Sequence, residues 1–256
     1  MSGLKLVRKH NPIDGFTLVE LAVVLIIVTL LSTGLMLSLS AQREAASNTE
    51  TQRLLNDARD ALLGFAAANG RLPCPAAPST TGEEAPIGGG TCLNNWDGFL
   101  PAITLGITPT NENGYAIDAW GNPLRYAITN FSNATFCPTQ CFTTTNGIKS
   151  AWNGGITIDP DLKICNTAAG ISGVGTTAIC ATGASLANNA VAVIFSSGKN
   201  GAIAPSSSDE QANRNADRAF VSHTQVSAGA NEFDDLVIWL SPNIYYNRLI
   251  TVGRLP

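Results

Sequence analysis

The chain has 256 residues, a net charge of -4 and only 13% charged residues. That length suffices for one sizeable domain plus accessory segments, and the composition lacks the high charge and low hydrophobicity of a disordered chain. The acidic balance disfavours nucleic acid as a partner.

Residues 1–15 form a short basic leader carrying Lys5, Arg8 and Lys9. An ordinary secretory signal places its apolar region before the cleavage site. Here the apolar region comes after Gly15, so a cut at Gly15 would leave it on the mature chain. Residues 16–40 are mostly Leu, Val, Ile and Ala, and Glu20 is their only charge. At ~1.5 Å per residue, about 20 such residues cross a hydrocarbon core. Residues 16–40 are therefore expected to form a transmembrane helix. The basic leader stays on the cytoplasmic side and the C-terminal bulk passes out.

From residue 41 the pattern turns amphipathic. Leu54, Leu55, Ala58, Ala61, Leu62, Phe65 and Ala66 share one face of a 3.6-residue repeat, and Arg53 with Asp57 is an (i, i+4) pair off that face. Residues 41–69 are expected to extend the helix and to pack its stripe on the protein's own head. Asn69-Gly70 caps it, and Pro73 and Pro75 prevent continuation.

Residues 70–256 are expected to form the head. Strand candidates are 124–129, 156–158, 190–195 and 236–240, separated by Asn-Gly and Gly-Asn-Pro turn signals. Val191, Val193 and Phe195, and Leu236, Ile238 and Leu240, alternate as if facing the helix. Residues 160–190 and 199–232 read as long loops, with a short helix near 209–219. The fold class is α+β: a long N-terminal helical spine, transmembrane in its first half, packed on an antiparallel β-sheet head with long disulfide-bearing loops.

All six cysteines, Cys74, Cys92, Cys137, Cys141, Cys165 and Cys180, follow the apolar segment. That placement favours disulfides made in an oxidising compartment. Their connectivity is open; pairing of neighbours, 74 with 92, 137 with 141 and 165 with 180, is the expectation. Zinc is the rival reading for Cys137-Pro-Thr-Gln-Cys141, but no second CxxC and no His pair complement it. His223 is the only histidine after the leader and no catalytic constellation surrounds it, so the chain is not read as an enzyme.

Gly15-Phe16-Thr17-Leu18-Val19-Glu20, running without a gap into Leu21-Ala22-Val23-Val24-Leu25-Ile26-Ile27, resembles the class III leader of type IV pilins and type II secretion pseudopilins. The resemblance implies cleavage by a prepilin peptidase between Gly15 and Phe16, N-methylation of Phe16, and bundling of the helices in a filament. Its implied partners are other pilin or pseudopilin subunits, the peptidase and the inner-membrane platform of the assembly machine. Its implied location is the bacterial inner membrane, single-pass with the head in the periplasm, and then an extracellular filament. Glu20 is the expected assembly residue: its carboxylate would neutralise the new α-amine of a neighbouring chain in apolar surroundings. The size of the chain points to a minor subunit. A pilus-displayed adhesin or DNA-binding minor pilin is the alternative.

Two head segments add to the resemblance. Asp118-Ala-Trp-Gly-Asn-Pro-Leu-Arg-Tyr126 is similar to a segment of major pseudopilins, and is read as a Trp-anchored turn leading into a strand. Ser196-Ser-Gly-Lys-Asn-Gly201, with Glu232-Phe-Asp-Asp-Leu-Val-Ile-Trp239, resembles the calcium-binding region of that family. It implies calcium as a possible cofactor, with Asn200, Asp234 and Asp235 as ligands. Lys199 and Asn200 depart from the family's pattern, so the matching ligand set is incomplete.

Overall fold

A computed structural model describes residues 15, 17–205, 207–226, 229 and 231–256; for 33–39 it describes the backbone alone. Residues 1–14, in the expected leader, and Phe16, the expected methylation site, lie outside the described residues. The chain divides into two units, Met1–Ala46 and Ser47–Pro256, and the division falls inside the first helix, α1 (Leu18–Asn69).

In the first unit, Thr17 and Glu20 start α1. The Thr17 N–H donates to Glu20 Oε2 at 3.4 Å, and the Glu20 N–H donates to Thr17 Oγ1 at 3.3 Å. That reciprocal pattern is a capping box, which satisfies backbone donors left over at a helix start. The large apolar side chains from Leu18 to Leu31 are 49% to 87% exposed.

The expected architecture is corrected here. Among the described residues, no helix is long and apolar enough to cross a membrane. The transmembrane first half, and with it the single-pass inner-membrane placement with a periplasmic head, is therefore not upheld. Nor does α1 serve as one spine behind the head: only its residues from Ser47 onward belong to the second unit.

The second unit is layered. Its share of α1 buries Thr51, Leu54, Leu55, Ala58, Leu62 and Ala66, while Ala61 and Phe65 are partly covered. This stripe faces a four-stranded sheet built from β1 (Gly98–Phe99), β2 (Arg125–Ile128), β7 (Ala192–Ser196) and β9 (Leu236–Leu240). The strands lie in the order β1-β2-β7-β9 and every pairing is antiparallel. Behind that sheet lies a second, β6 (Ser185–Ala190), β3 (Leu162–Cys165) and β8 (Ala219–Val221), in which β3 pairs parallel with β8. A small ribbon, β4 (Ile171–Ser172) with β5 (Ile179–Cys180), stands beside it. The helices α2 (Ala102–Leu105), α3 (Gly147–Asn153), α4 (Ser208–Asn213) and α5 (Pro242–Thr251) complete the unit.

The second sheet overturns two expectations. The head is not one antiparallel sheet, because Leu162–Cys165 and Ala219–Val221 add a sheet with a parallel pair out of segments expected to be loops. The parity of β7 also changes. Ala192 and Ile194 join Leu55, Leu62 and Tyr126 beneath α1, whereas Val193 and Phe195 pack with Leu162, Ile164 and Phe220 on the far side. A strand covered on both faces is apolar at every position, so alternation cannot reveal which face meets the helix. On β9 the expected face is kept: Leu236, Ile238 and Leu240 pack with the α1 cluster. Residues 156–158 form no strand.

Three disulfides tie the loops: Cys74–Cys92, Cys137–Cys141 and Cys165–Cys180. Beyond Gly70, the Arg71 guanidinium is buried against Glu84, with Nη2 donating to Oε1 at 2.6 Å and Nη1 to Oε2 at 2.7 Å. Glu84 also accepts the backbone N–H groups of Cys74 and Gly88. This joins the end of α1 to the first disulfide loop. At the other end of the unit, the Ser241 side chain caps α5, which carries Pro242 in its first turn and buries Tyr245 and Leu249.

The chain contains five Asn-Gly dipeptides. In each, the glycine N–H is held by a backbone carbonyl: Gly70 by Ala66, Gly114 by Asn111, Gly147 by Thr144, Gly154 by Ser150 and Gly201 by Gly198.

Candidate metal centre

The loop after β7 and the approach to β9 meet at an acidic cluster. Three carboxylates, from Glu210, Asp234 and Asp235, bring oxygens within 4.8 Å of one another. Glu210 and Asp235 are buried and Asp234 is partly so.

Each carboxylate is fixed locally. The Ser207 hydroxyl accepts the Glu210 N–H and starts α4, so Glu210 sits in the first turn with its carboxyl turned inward. Asn213, one turn on, donates to Asp235 Oδ2 at 2.7 Å and exchanges hydrogen bonds with the Val221 backbone. Asp234 Oδ2 accepts the Asn200 N–H at 2.9 Å. Asp234 Oδ1 is buried without a hydrogen-bond partner.

The Asp118 segment braces this loop. The Ser196 hydroxyl donates to Asp118 Oδ2 at 2.6 Å, and the Gly198 N–H donates to Ser196 Oγ at 3.0 Å. Asn122 Nδ2 donates to the Gly198 carbonyl at 2.6 Å. Gly198 has φ +62, and a Cβ there would lie 2.4 Å from both the carbonyl oxygen and Oδ1 of Asp234. Only glycine permits that approach. The anchor of the turn is Asp118, whose Oδ1 accepts the N–H groups of Trp120 and Asn122, while Trp120 is partly exposed.

Burial and crowding of like charge shift the cluster's titration. Burial, and then the neighbouring Glu210 carboxylate, push Asp235 up to about 7 against the pull of Asn213. Burial pushes Asp234 up to about 6, against the Asn200 hydrogen bond. Such sites hold their negative charge at a cost that a bound cation relieves.

The expected ligands are rearranged. Asp234 and Asp235 come together, but Asn200 acts as a donor: its Nδ2 reaches Glu210 Oε1 at 2.9 Å. Glu210 is the third carboxylate. The signal that could have found it is Ser207-Ser208-Asp209-Glu210, an S-x-x-E helix start. The residues present fit a hard cation, since calcium takes clustered carboxylate oxygens and one oxygen of the cluster lacks a partner.

The other expected residues lie apart from this cluster. Gly15 is exposed and Glu20 caps α1, both in the first unit. Cys137 and Cys141 are joined in a disulfide. His223 stacks on Phe233 with ring centroids 4.0 Å apart, and its ring nitrogens meet Asp209 Oδ2 and the Thr224 carbonyl. No family model, curated protein or solved structure matches the chain.

Proposed function

We propose that the chain is a minor subunit of a filament of the type IV pilus or type II secretion pseudopilus kind. The observation that carries this reading is the Gly15–Glu20 motif, which runs directly into a helix whose large apolar side chains stand about half or more exposed. Exposed apolar surface of this extent calls for a partner, and helices of neighbouring subunits supply one. A prepilin peptidase would cut after Gly15 and methylate Phe16. Glu20 would then meet the α-amine of the next subunit, and that pairing would set the stagger between chains. The assembly platform and the other subunits complete the set of partners.

Glu210, Asp234 and Asp235 would hold a calcium ion in the head. Bound there, calcium would supply charge neutralisation, and Asn200, Asn213 and Ser196 would keep the carboxylates in place. Co-expression with a prepilin peptidase tests the processing: the mature chain should lose residues 1–15 and gain one methyl group by intact mass. In the parent cell, deletion should abolish exoprotein export or surface piliation. An unchanged mass, or retention of both functions, overturns the reading.

A further inference from the structure

The side of the second unit formed by α1 and α5 carries a groove of about 500 Å³. Leu63 of α1 and Ile244 of α5 line it, and Ile244 is 47% exposed. Asp60 and Arg248 flank Leu63 in the adjoining depression. The two charges are poorly used within the chain. Asp60 meets only Arg59, at 3.4 Å, with 69% of its side chain exposed. Among the described residues, Arg248 has no ion pair and no side-chain hydrogen bond, although it too is exposed.

A third observation comes from Gly64. It sits inside α1, where glycine costs about 1 kcal/mol relative to alanine. A Cβ at Gly64 would meet nothing within 4 Å. Among the described residues, nothing therefore requires a glycine there. A neighbouring backbone lying close on this face from outside would require one.

We infer that this face docks a second copy of the chain through a two-fold contact, with Arg248 of each copy against Asp60 of the other. The occupant is fixed by the charges. One patch carries an acid, a base and apolar side chains between them, and a self-complementary patch is what an isologous interface needs. A partner carrying one sign of charge would satisfy half of it and repel the other half. In the two-fold arrangement Leu63 and Ile244 of both copies form the dry centre, and Gly64 admits the facing helix.

The test uses the full chain. Chains carrying Arg248→Cys are mixed under mild oxidant with chains carrying Asp60→Cys. The expected result is a mixed disulfide-linked dimer, with little dimer from either population alone. This readout separates the α1/α5 contact from any association through the Leu18–Leu31 segment. Arg248→Glu and Asp60→Arg should each weaken dimerisation about ten-fold, and combining them in one chain should restore it. Gly64→Leu should block it while raising the melting temperature of the second unit by a few degrees, since leucine favours a helix more than glycine does. Absence of the mixed dimer, equal crosslinking within each population, or failure of the combined charge reversal to restore association would overturn the proposal.

Discussion

Glu20 and Thr17 cap one another at the start of α1: the carboxylate accepts the Thr17 N–H and hydroxyl, and the Thr17 hydroxyl accepts the Glu20 N–H. The same carboxylate that the filament reading assigns to a neighbouring subunit thus also serves its own helix. The two roles separate by substitution. Glu20→Gln keeps an acceptor for the cap and removes the charge; Glu20→Ala removes both. If the charge pairs with the next chain, both variants should be processed normally yet enter filaments at least about ten-fold less well. Only the alanine variant should also fray the helix start, at about 1 kcal/mol. Filament recovery by the glutamine variant at wild-type levels would leave Glu20 as a cap alone.

The acidic cluster makes stability depend on pH in a direction that can be stated. Asp235 and Asp234, at about 7 and about 6, bind protons more tightly in the fold than in the unfolded chain. The raised value means that their contribution is fully present below the unfolded carboxylate range and is lost as pH climbs through 6 and 7. In chelator, the melting temperature should fall by a few degrees between pH 5 and pH 8. Calcium should reverse that loss at pH 8 and have little effect at pH 5, where protons compete. A melting temperature that rises with pH in chelator, or is indifferent to calcium at pH 8, would remove the centre.

Arg71 and Glu84 are both nearly excluded from solvent. Glu84→Ala would strand a buried guanidinium and leave the Cys74 and Gly88 N–H groups without their acceptor. The expected loss is about 3–5 kcal/mol, read from urea unfolding. Replacing both residues with methionine should cost much less, because the uncompensated charge disappears with its partner.

Asp118 supports the cluster at one remove. Asp118→Ala takes the acceptor from Ser196, Trp120 and Asn122 together, and should cost about 1–3 kcal/mol. Because Ser196 in turn holds Gly198 against Asp234, the variant should also weaken calcium binding, measured by calorimetry, more than its loss of stability accounts for. Glu210→Gln should weaken binding with little loss of stability, since it relieves crowding of like charge around Asp235.

Much of the fold was legible where the signal is local. The α1 stripe, β2, β7 and β9 follow from periodicity within a few residues, and each disulfide joins cysteines close in sequence. The second sheet was not legible, because Leu162–Cys165 and Ala219–Val221 are short and set among Asn, Thr and Ser. Once that sheet covers β7, apolar parity loses its meaning, which is why Val193 and Phe195 face Phe220 rather than α1. The helix α5 carries its signal in Ser241-Pro242, a cap followed by a proline. At the candidate centre, Asp234 and Asp235 stood out as neighbours. Glu210 lies 24 residues away, and only the packing of α4 against β8 brings it to them.

The Asn-Gly dipeptides have a consequence for how the molecule ages. Asparagine before glycine is the sequence most prone to spontaneous deamidation, because the glycine nitrogen can attack the side-chain amide and close a succinimide ring. In all five places that nitrogen is already engaged with a backbone carbonyl. The turns that most invite chemical decay are thus held out of the reacting geometry, and the folded head should keep its asparagines far longer than its unfolded chain would.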